Sequence, residues 1–382
     1  MKRVFLFSMM FVILATTFSV SSTIISYADN ENLSSKSAVL IDFNSGKTLF
    51  EKDADKHLPI ASMVKMMTIL LTLDEMDKGN IKEDTLITTS ERASSMGGSQ
   101  VFIDPYEEYR ADDLLKSVIM ASANDASVAL AEFISGSEES FVDKMNTKAK
   151  EIGMKNTHYV NSTGLPAPEQ YSCARDCGIV LKEVSKYPIY HKYSTIWMDE
   201  LKHPSGRVTG LVNTNRLIRY YDGCDGGKTG STNEAGCCLS ATAKRNNMRL
   251  ISVIVGAPNS QTRFNECSKL FNYGFANFEN KLILDSSKEL FSMKVLKAKQ
   301  KEINVYAEKD FSMISKKGEK SEYDVSYDYN KKASAPMDKN YVIGKAYISK
   351  NGQKITEINL IIKDDVERIS FVDCFNKVAE NW

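Results

Sequence analysis

CCLSATAKRNNMRLISVIV, residues 237–255, reads as a single β-hairpin. Cys237 to Lys244 and Arg249 to Val255 have strand length, and Arg245-Asn246-Asn247-Met248 joins them with asparagine at the tight positions. The strand period begins upstream at Gly226, and a helix is expected over Asn265 to Phe278. Toward the N-terminus the spacing becomes helical. Met63 to Met76 is an apolar helical run, and Asp112 and Asp113 open another through Leu114, Leu115, Val118 and Ile119. Asp125 to Ile134 resumes that spacing, and Cys173 to Val184 is read as helical too. Earlier still, Ser37 to Phe43 turns at Asn44-Ser45-Gly46 into Lys47 to Phe50, a second hairpin. Helices enclosed between an early strand pair and a late meander predict an α+β fold with an antiparallel sheet.

From about Lys281 the texture changes to short alternating strands rich in Lys and Glu. Tyr347 to Lys350, the Asn351-Gly352 turn and the run Thr356, Ile358, Leu360, Ile362 form a hairpin with one apolar face. A catalytic domain over 29–280 and a small all-β domain over 281–366 are therefore expected. In the terminal segment 367–382, Phe371, Cys374, Phe375, Val378 and Trp382 share one helical face. Arg368 and Lys377 are balanced there by Asp373 and Glu380, without the basic enrichment of membrane-surface helices. Peripheral membrane contact and docking on the β domain both remain open for this tail.

The first 28 residues read as an export signal: Lys2 and Arg3, an apolar run from Val4, and Ser26-Tyr27-Ala28 before the cut. An uncleaved anchor is the competing reading, since Val4 to Ile25 is long enough to span a bilayer. The 382 residues carry 49 basic and 49 acidic side chains with no basic block, so no nucleic-acid partner is expected. Seven cysteines suit an oxidised export protein, but their spacing does not. Cys173 and Cys177 lie four apart in an expected helix, with Cβ atoms about 5–6 Å apart, whereas a disulfide wants about 3.8 Å. Cys237 and Cys238 would point to opposite faces of a strand. Free thiols are expected. No Cys-x-x-Cys or His-Glu-x-x-His spacing is present, so neither metal nor cofactor is expected.

The strand leading into the 237–255 hairpin carries Lys228-Thr229-Gly230. Two further motifs precede it: Ser62-Met63-Val64-Lys65 and Ser122-Ala123-Asn124. Ser62 and Lys65, three apart at a helix start, share a face. A serine hydroxyl is a weak nucleophile until a base takes its proton. Lys65 can serve only when neutral; burial and a second cation, Lys228, both favour that state. There is no Gly-x-Ser-x-Gly elbow, and none of the four histidines is near the motifs, so a Ser-His-Asp triad is unsupported. Singly, each residue has an ordinary alternative. Ser62 and Asn124 suit helix caps, Lys228 a solvated charge, Gly230 a turn. Ser231-Thr232-Asn233 and Ser349-Lys350-Asn351 also fit Ser-x-Asn, so order and spacing carry the signal.

With these motifs the chain resembles the penicillin-recognising serine acyltransferases. It is most similar to the low-molecular-mass D-alanyl-D-alanine carboxypeptidases. Gly97-Gly98-Ser99-Gln100-Val101-Phe102, Tyr193 to Trp197, Val212-Asn213-Thr214-Asn215 and Arg263-Phe264 extend the likeness, from about residue 36 to the C-terminus. The resemblance implies a penicillin-binding catalytic domain and an acyl-enzyme on Ser62. It makes Ser122 a proton relay between Lys65 and the leaving amine, and Asn124 a partner of the substrate amide and Lys65. Backbone amides of Ser62 and Ser231 would form the oxyanion hole. Thr229, Gly230, Ser231, Thr232 and Arg263 become substrate-binding, with Thr229, Thr232 and Arg263 at the terminal carboxylate. The implied partner is a peptidoglycan stem peptide ending in D-Ala-D-Ala, with β-lactams as inhibitors.

Competing classes fare worse. A β-lactamase is expected to be shorter and to carry Glu-x-x-Leu-Asn after the second motif, a pattern absent here. A large transpeptidase is expected to place a substantial domain ahead of Ser-x-x-Lys. A silent peptidoglycan-binding module need not keep all three motifs complete. Carboxypeptidase action at the wall or the outer face of the cytoplasmic membrane is the expectation, with endopeptidase action on cross-links as the alternative.

Overall fold

The computed structural model describes residues 33–373, apart from 301 and 320–322. The expected export signal, and the tail beyond residue 373, lie outside the described residues. The chain opens with the expected hairpin, β1 (Ser37–Asp42) and β2 (Thr48–Lys52). A 3-10 turn over Ala61–Val64 feeds α1 (Lys65–Asp77). The middle holds β3 (Leu86–Thr88), α2 (Glu91–Ser94), β4 (Glu108–Arg110), α3 (Ala111–Met120) and α4 (Asn124–Ser135). There follow α5 (Glu138–Glu151), α6 (Ala174–Val184) and α7 (Pro188–Ser194). The hairpin β5 (Met198–Lys202) and β6 (Val208–Val212), then α8 (Leu217–Tyr220), lead into a meander. That meander is β7 (Cys224–Thr232), β8 (Gly236–Arg245) and β9 (Met248–Ala257), closed by α9 (Ser260–Asn277).

These strands form one antiparallel sheet in the order β2-β1-β9-β8-β7, so the architecture is the α+β layout expected. Every residue of β1 is buried, as a strand covered on both faces must be. Neighbouring side chains of β1 meet different helices. A Cβ on Gly178 of α6 would lie 2.6 Å from Ile41, and one on Gly274 of α9 would lie 3.0 Å from Leu40. Because side chains alternate across a strand, α6 and α9 cover opposite faces. β7 is left at the sheet edge.

Helix boundaries differ from expectation in several places: α1 starts at Lys65 rather than Met63 because Ala61–Val64 winds as a 3-10 turn, and two further starts have side-chain causes. α9 starts at Ser260, before the first apolar turn, because the Asn259 side chain accepts the Thr262 amide at 2.8 Å and caps it. Arg263 is thereby a helical residue. Cys173 lies outside α6 as its N-cap, with Sγ accepting from the Asp176 amide at 3.3 Å. Both Cys173 and Cys177 are free thiols.

The second part starts straight off α9 with β10 (Phe278–Leu284), which crosses the expected 280/281 boundary. It continues through β11 (Phe291–Met293), β12 (Ile303–Ala307), β13 (Phe311–Lys316), β14 (Tyr323–Tyr329), β15 (Val342–Lys350) and β16 (Gln353–Ile361). β15 and β16 are the hairpin read around Asn351-Gly352, within a sheet ordered β11-β12-β16-β15-β14. Asn247, in the tight turn between β8 and β9, donates from its side chain to the Asn280 carbonyl at 3.3 Å, and the Asn280 side chain donates to the Asn247 carbonyl at 3.1 Å. At the start of the tail, Ser370 and Asp373 bond reciprocally in a capping box, leaving Phe371 and Val372 exposed. No helix among the described residues is long and apolar enough to cross a membrane.

Candidate active site

Ser62 lies in the 3-10 turn and Lys65 begins α1. Three residues complete a 3-10 turn, so side chains at i and i+3 stack, and Lys65 Nζ donates to Ser62 Oγ at 3.1 Å. The same amine donates to Asn124 Oδ1 and to the Thr163 carbonyl, each at 2.6 Å. Lys65 is fully buried. Burial drives its ammonium well below the usual lysine range; the Lys228 charge adds to this and Asp125 opposes it. An ammonium can donate to all three partners. A neutral amine keeps two protons for the acceptors on Asn124 and Thr163, and its lone pair is left for the Ser62 hydroxyl.

Asn124 stands at the first position of α4, with its amide orientation fixed by Nδ2 donating to the Gly97 carbonyl at 2.6 Å. Ser122 occupies the α3–α4 corner at φ +64°, a strained backbone for a non-glycine residue. Its hydroxyl accepts from Lys228 Nζ at 2.7 Å. Lys228 is buried on the edge strand β7; burial, then the nearby Arg263 charge, lowers its pKa to about 7. β7 presses against the turn holding Ser62: a Cβ on Gly230 would sit 2.4 Å from the Ile60 carbonyl. Gly164, at φ +82°, supports the other side of that turn, where a Cβ would come within 2.1 Å of the Ala61 carbonyl.

A cleft of about 520 Å³ opens over these groups. Among the residues singled out from sequence, Ser62, Ser122, Thr229, Gly230, Ser231 and Arg263 line it, with Lys65, Asn124 and Lys228 bonded behind them. Thr232 is not in the lining; its hydroxyl accepts the Ala235 amide at 3.0 Å, within the β7–β8 connection. Arg263 Nη1 donates to the carbonyls of Gly230 (3.1 Å) and Cys238 (3.3 Å), while its buried Nε has no partner among the described atoms.

Sequence reasoning did not assign roles to Ser99, Trp197, Thr214 and Arg216, which also line the cleft. Thr214 is held there because Asn213 bonds the carbonyls of Ser194 and Ile196 and Asn215 bonds that of Gly226. The signal was the Val212-Asn213-Thr214-Asn215 stretch, whose two asparagines frame a residue they present. Among the described residues no cluster of acidic, His and Cys side chains is arranged to hold a metal ion.

Residues 24–259 match the family model described as D-alanyl-D-alanine carboxypeptidase, and residues 278–368 match that of the penicillin-binding protein 5 C-terminal domain. The chain is 42% identical over 349 residues to the D-alanyl-D-alanine carboxypeptidase DacF of Bacillus subtilis (strain 168), covering 91% of this chain and 90% of that protein. To DacC of Escherichia coli (strain K12) it is 32% identical over 374 residues, covering 95% and 90%. Among solved structures, penicillin-binding protein 5 from Haemophilus influenzae superposes with a TM-score of 0.68 at 34% identity, covering 88% of this chain and 98% of that one.

Proposed function

We propose, from the premise that this chain belongs to the D-alanyl-D-alanine carboxypeptidase family, that Ser62 is the nucleophile through which it works. As a serine-type hydrolase of that family, the protein removes the terminal D-alanine from peptidoglycan peptides and binds penicillin. Lys65 in its neutral form takes the Ser62 proton as the oxygen attacks the penultimate D-alanine carbonyl. Backbone amides of Ser62 and Ser231 hold the developing oxyanion. Ser122, polarised by Lys228, passes the proton to the departing amine, and Asn124 orients Lys65 and the substrate amide. Water then releases the peptide from Ser62 along the same proton path.

The observation that carries this reading is the buried Lys65 amine, with two fixed acceptors and Ser62 Oγ as its third partner. Thr229 and Arg263 read the terminal carboxylate, for which a guanidinium fork is suited, and Gly230 and Ser231 pair with the peptide backbone along the open edge of β7. Thr232, whose hydroxyl accepts the Ala235 amide and keeps its own proton to donate, belongs to the same carboxylate subsite. Residues 1–28 serve as an export signal, 29–280 as the catalytic domain and 281–366 as the β domain. The segment 367–382 is assigned either to peripheral membrane contact or to docking on the β domain. Release of D-alanine from a pentapeptide, measured for the wild type and a folded Ser62→Ala variant, tests the proposal. Activity in the wild type alone supports it; retained activity in Ser62→Ala refutes it.

A further inference from the structure

Two rims of the cleft lie outside the three motifs. One is the loop 97–104, which contributes Ser99; the other is the β5–β6 hairpin, flanked by Trp197 at one end and Val212 to Thr214 at the other. The loop is wound onto Asp125, the residue after Asn124. Its buried carboxylate accepts the amides of Val101 at 3.0 Å, Phe102 at 2.8 Å and Ile103 at 3.3 Å. Asn124 is bound to the same loop, through its amide to the Ser99 carbonyl and its side chain to that of Gly97. The loop therefore fixes where Asn124 Oδ1 meets Lys65.

The hairpin grips this loop from outside. Arg207 donates to the Phe102 carbonyl and, at 2.9 Å, to Asp104 Oδ2. The Tyr109 hydroxyl accepts the Asp104 amide at 3.0 Å and lies 2.9 Å from His203 Nδ1. Arg207 also faces Nδ1, at 3.2 Å. A guanidinium only donates, so Nδ1 is an acceptor and the imidazole proton sits on Nε2, which donates to Thr209 Oγ1 at 2.8 Å. The His203 side chain is wholly buried. Phe102, 54% exposed, sits at φ +63°. A non-glycine residue keeps that conformation only where its surroundings enforce it, and here the bonds from Asp125 and Arg207 do so.

We propose that Tyr109, His203 and Arg207 are positioning residues for Asn124. They clasp the 97–104 loop between the β5–β6 hairpin and Asp125, and so set the bond between Asn124 and Lys65. This rests on the catalytic reading of Ser62, Lys65 and Asn124.

The test is the acylation rate of the full chain with a fluorescent penicillin, in a double-mutant cycle. Tyr109→Phe and Arg207→Gln should each slow acylation roughly three- to tenfold, the weight of one hydrogen bond. In an Asn124→Ala background the same changes should alter the rate by less than about twofold. His203→Gln, which can accept and donate in place of the imidazole, should stay closer to wild type than His203→Ala. Equal slowing in both backgrounds would make the clasp a general scaffold and overturn the proposal, as would wild-type rates in Tyr109→Phe. Should Arg207→Gln fail to fold, Tyr109→Phe, which removes one hydroxyl, still decides the matter. Asn124→Ala acylating as fast as wild type would instead overturn the underlying catalytic reading.

Discussion

Lys228 Nζ donates to the Ser122 hydroxyl across 2.7 Å, joining the sheet edge to the corner between α3 and α4. The bond brings a second buried cation into the field of Lys65, whose pKa the Lys228 charge depresses. Lys65 acts as a base only when neutral, so acylation falls as pH drops through the Lys65 pKa. Removing the Lys228 charge relieves the repulsion, raises that pKa and moves the acid limb to higher pH. Lys228→Gln should therefore show an upward-shifted acid limb and a lower plateau in the pH dependence of penicillin acylation. An unmoved limb would mean that Lys65 does not feel Lys228.

For Arg263, the measurement is discrimination between substrates. Arg263→Ala should impair hydrolysis of a D-Ala-D-Ala peptide more than that of an ester lacking the terminal carboxylate. A charge-assisted contact contributes about 1.5–3 kcal/mol, roughly ten- to a hundredfold in rate. Since Arg263 also holds the carbonyls of Gly230 and Cys238, some loss on both substrates is expected. A loss of equal size on both would leave only that structural role.

Gly164→Ala should damage the site without touching any of its chemistry. The added Cβ meets the Ala61 carbonyl at 2.1 Å, and the backbone at φ +82° disfavours alanine. Strain and overpacking together predict destabilisation on the order of 2–4 kcal/mol, with slowed acylation. Chemical denaturation beside an acylation assay checks both. A variant as stable and as fast as wild type would show that the Ser62 turn does not depend on Gly164.

The main elements of this fold were legible because they are local. Asn246-Asn247 marked the β8–β9 turn, and Ser62 and Lys65 are neighbours on one face whatever surrounds them. Less legible was whatever depends on backbone groups. The 97–104 loop meets Asp125 mainly through main-chain amides, which leave no residue-type signature, and Lys65 finds the Thr163 carbonyl for the same reason. Caps were misjudged where polar residues begin a helix: Asn259 starts α9 ahead of its apolar periodicity, and Cys173 does for α6 what a serine ordinarily does. The bond from the Ala235 amide to the Thr232 hydroxyl was equally hidden, because its donor is again a main-chain group.

Thiol chemistry offers an independent check on packing. Burial pushes Cys173 and Cys224 up to about 12, Cys238 to about 11, and Cys177 and Cys267 upward as well. Only Cys237 among the six described cysteines is partly exposed. In a Cys374→Ala variant, a water-soluble disulfide reagent should modify Cys237 quickly and the other five only on denaturation. Rapid reaction at Cys173 or Cys177 would contradict the packing around α6.

The most direct test is to react the protein with a penicillin, quench it and locate the adduct by peptide mass spectrometry. The account predicts one penicilloyl group, on Ser62, and none in Ser62→Ala. An adduct on any other residue, or labelling that persists in Ser62→Ala, would contradict it.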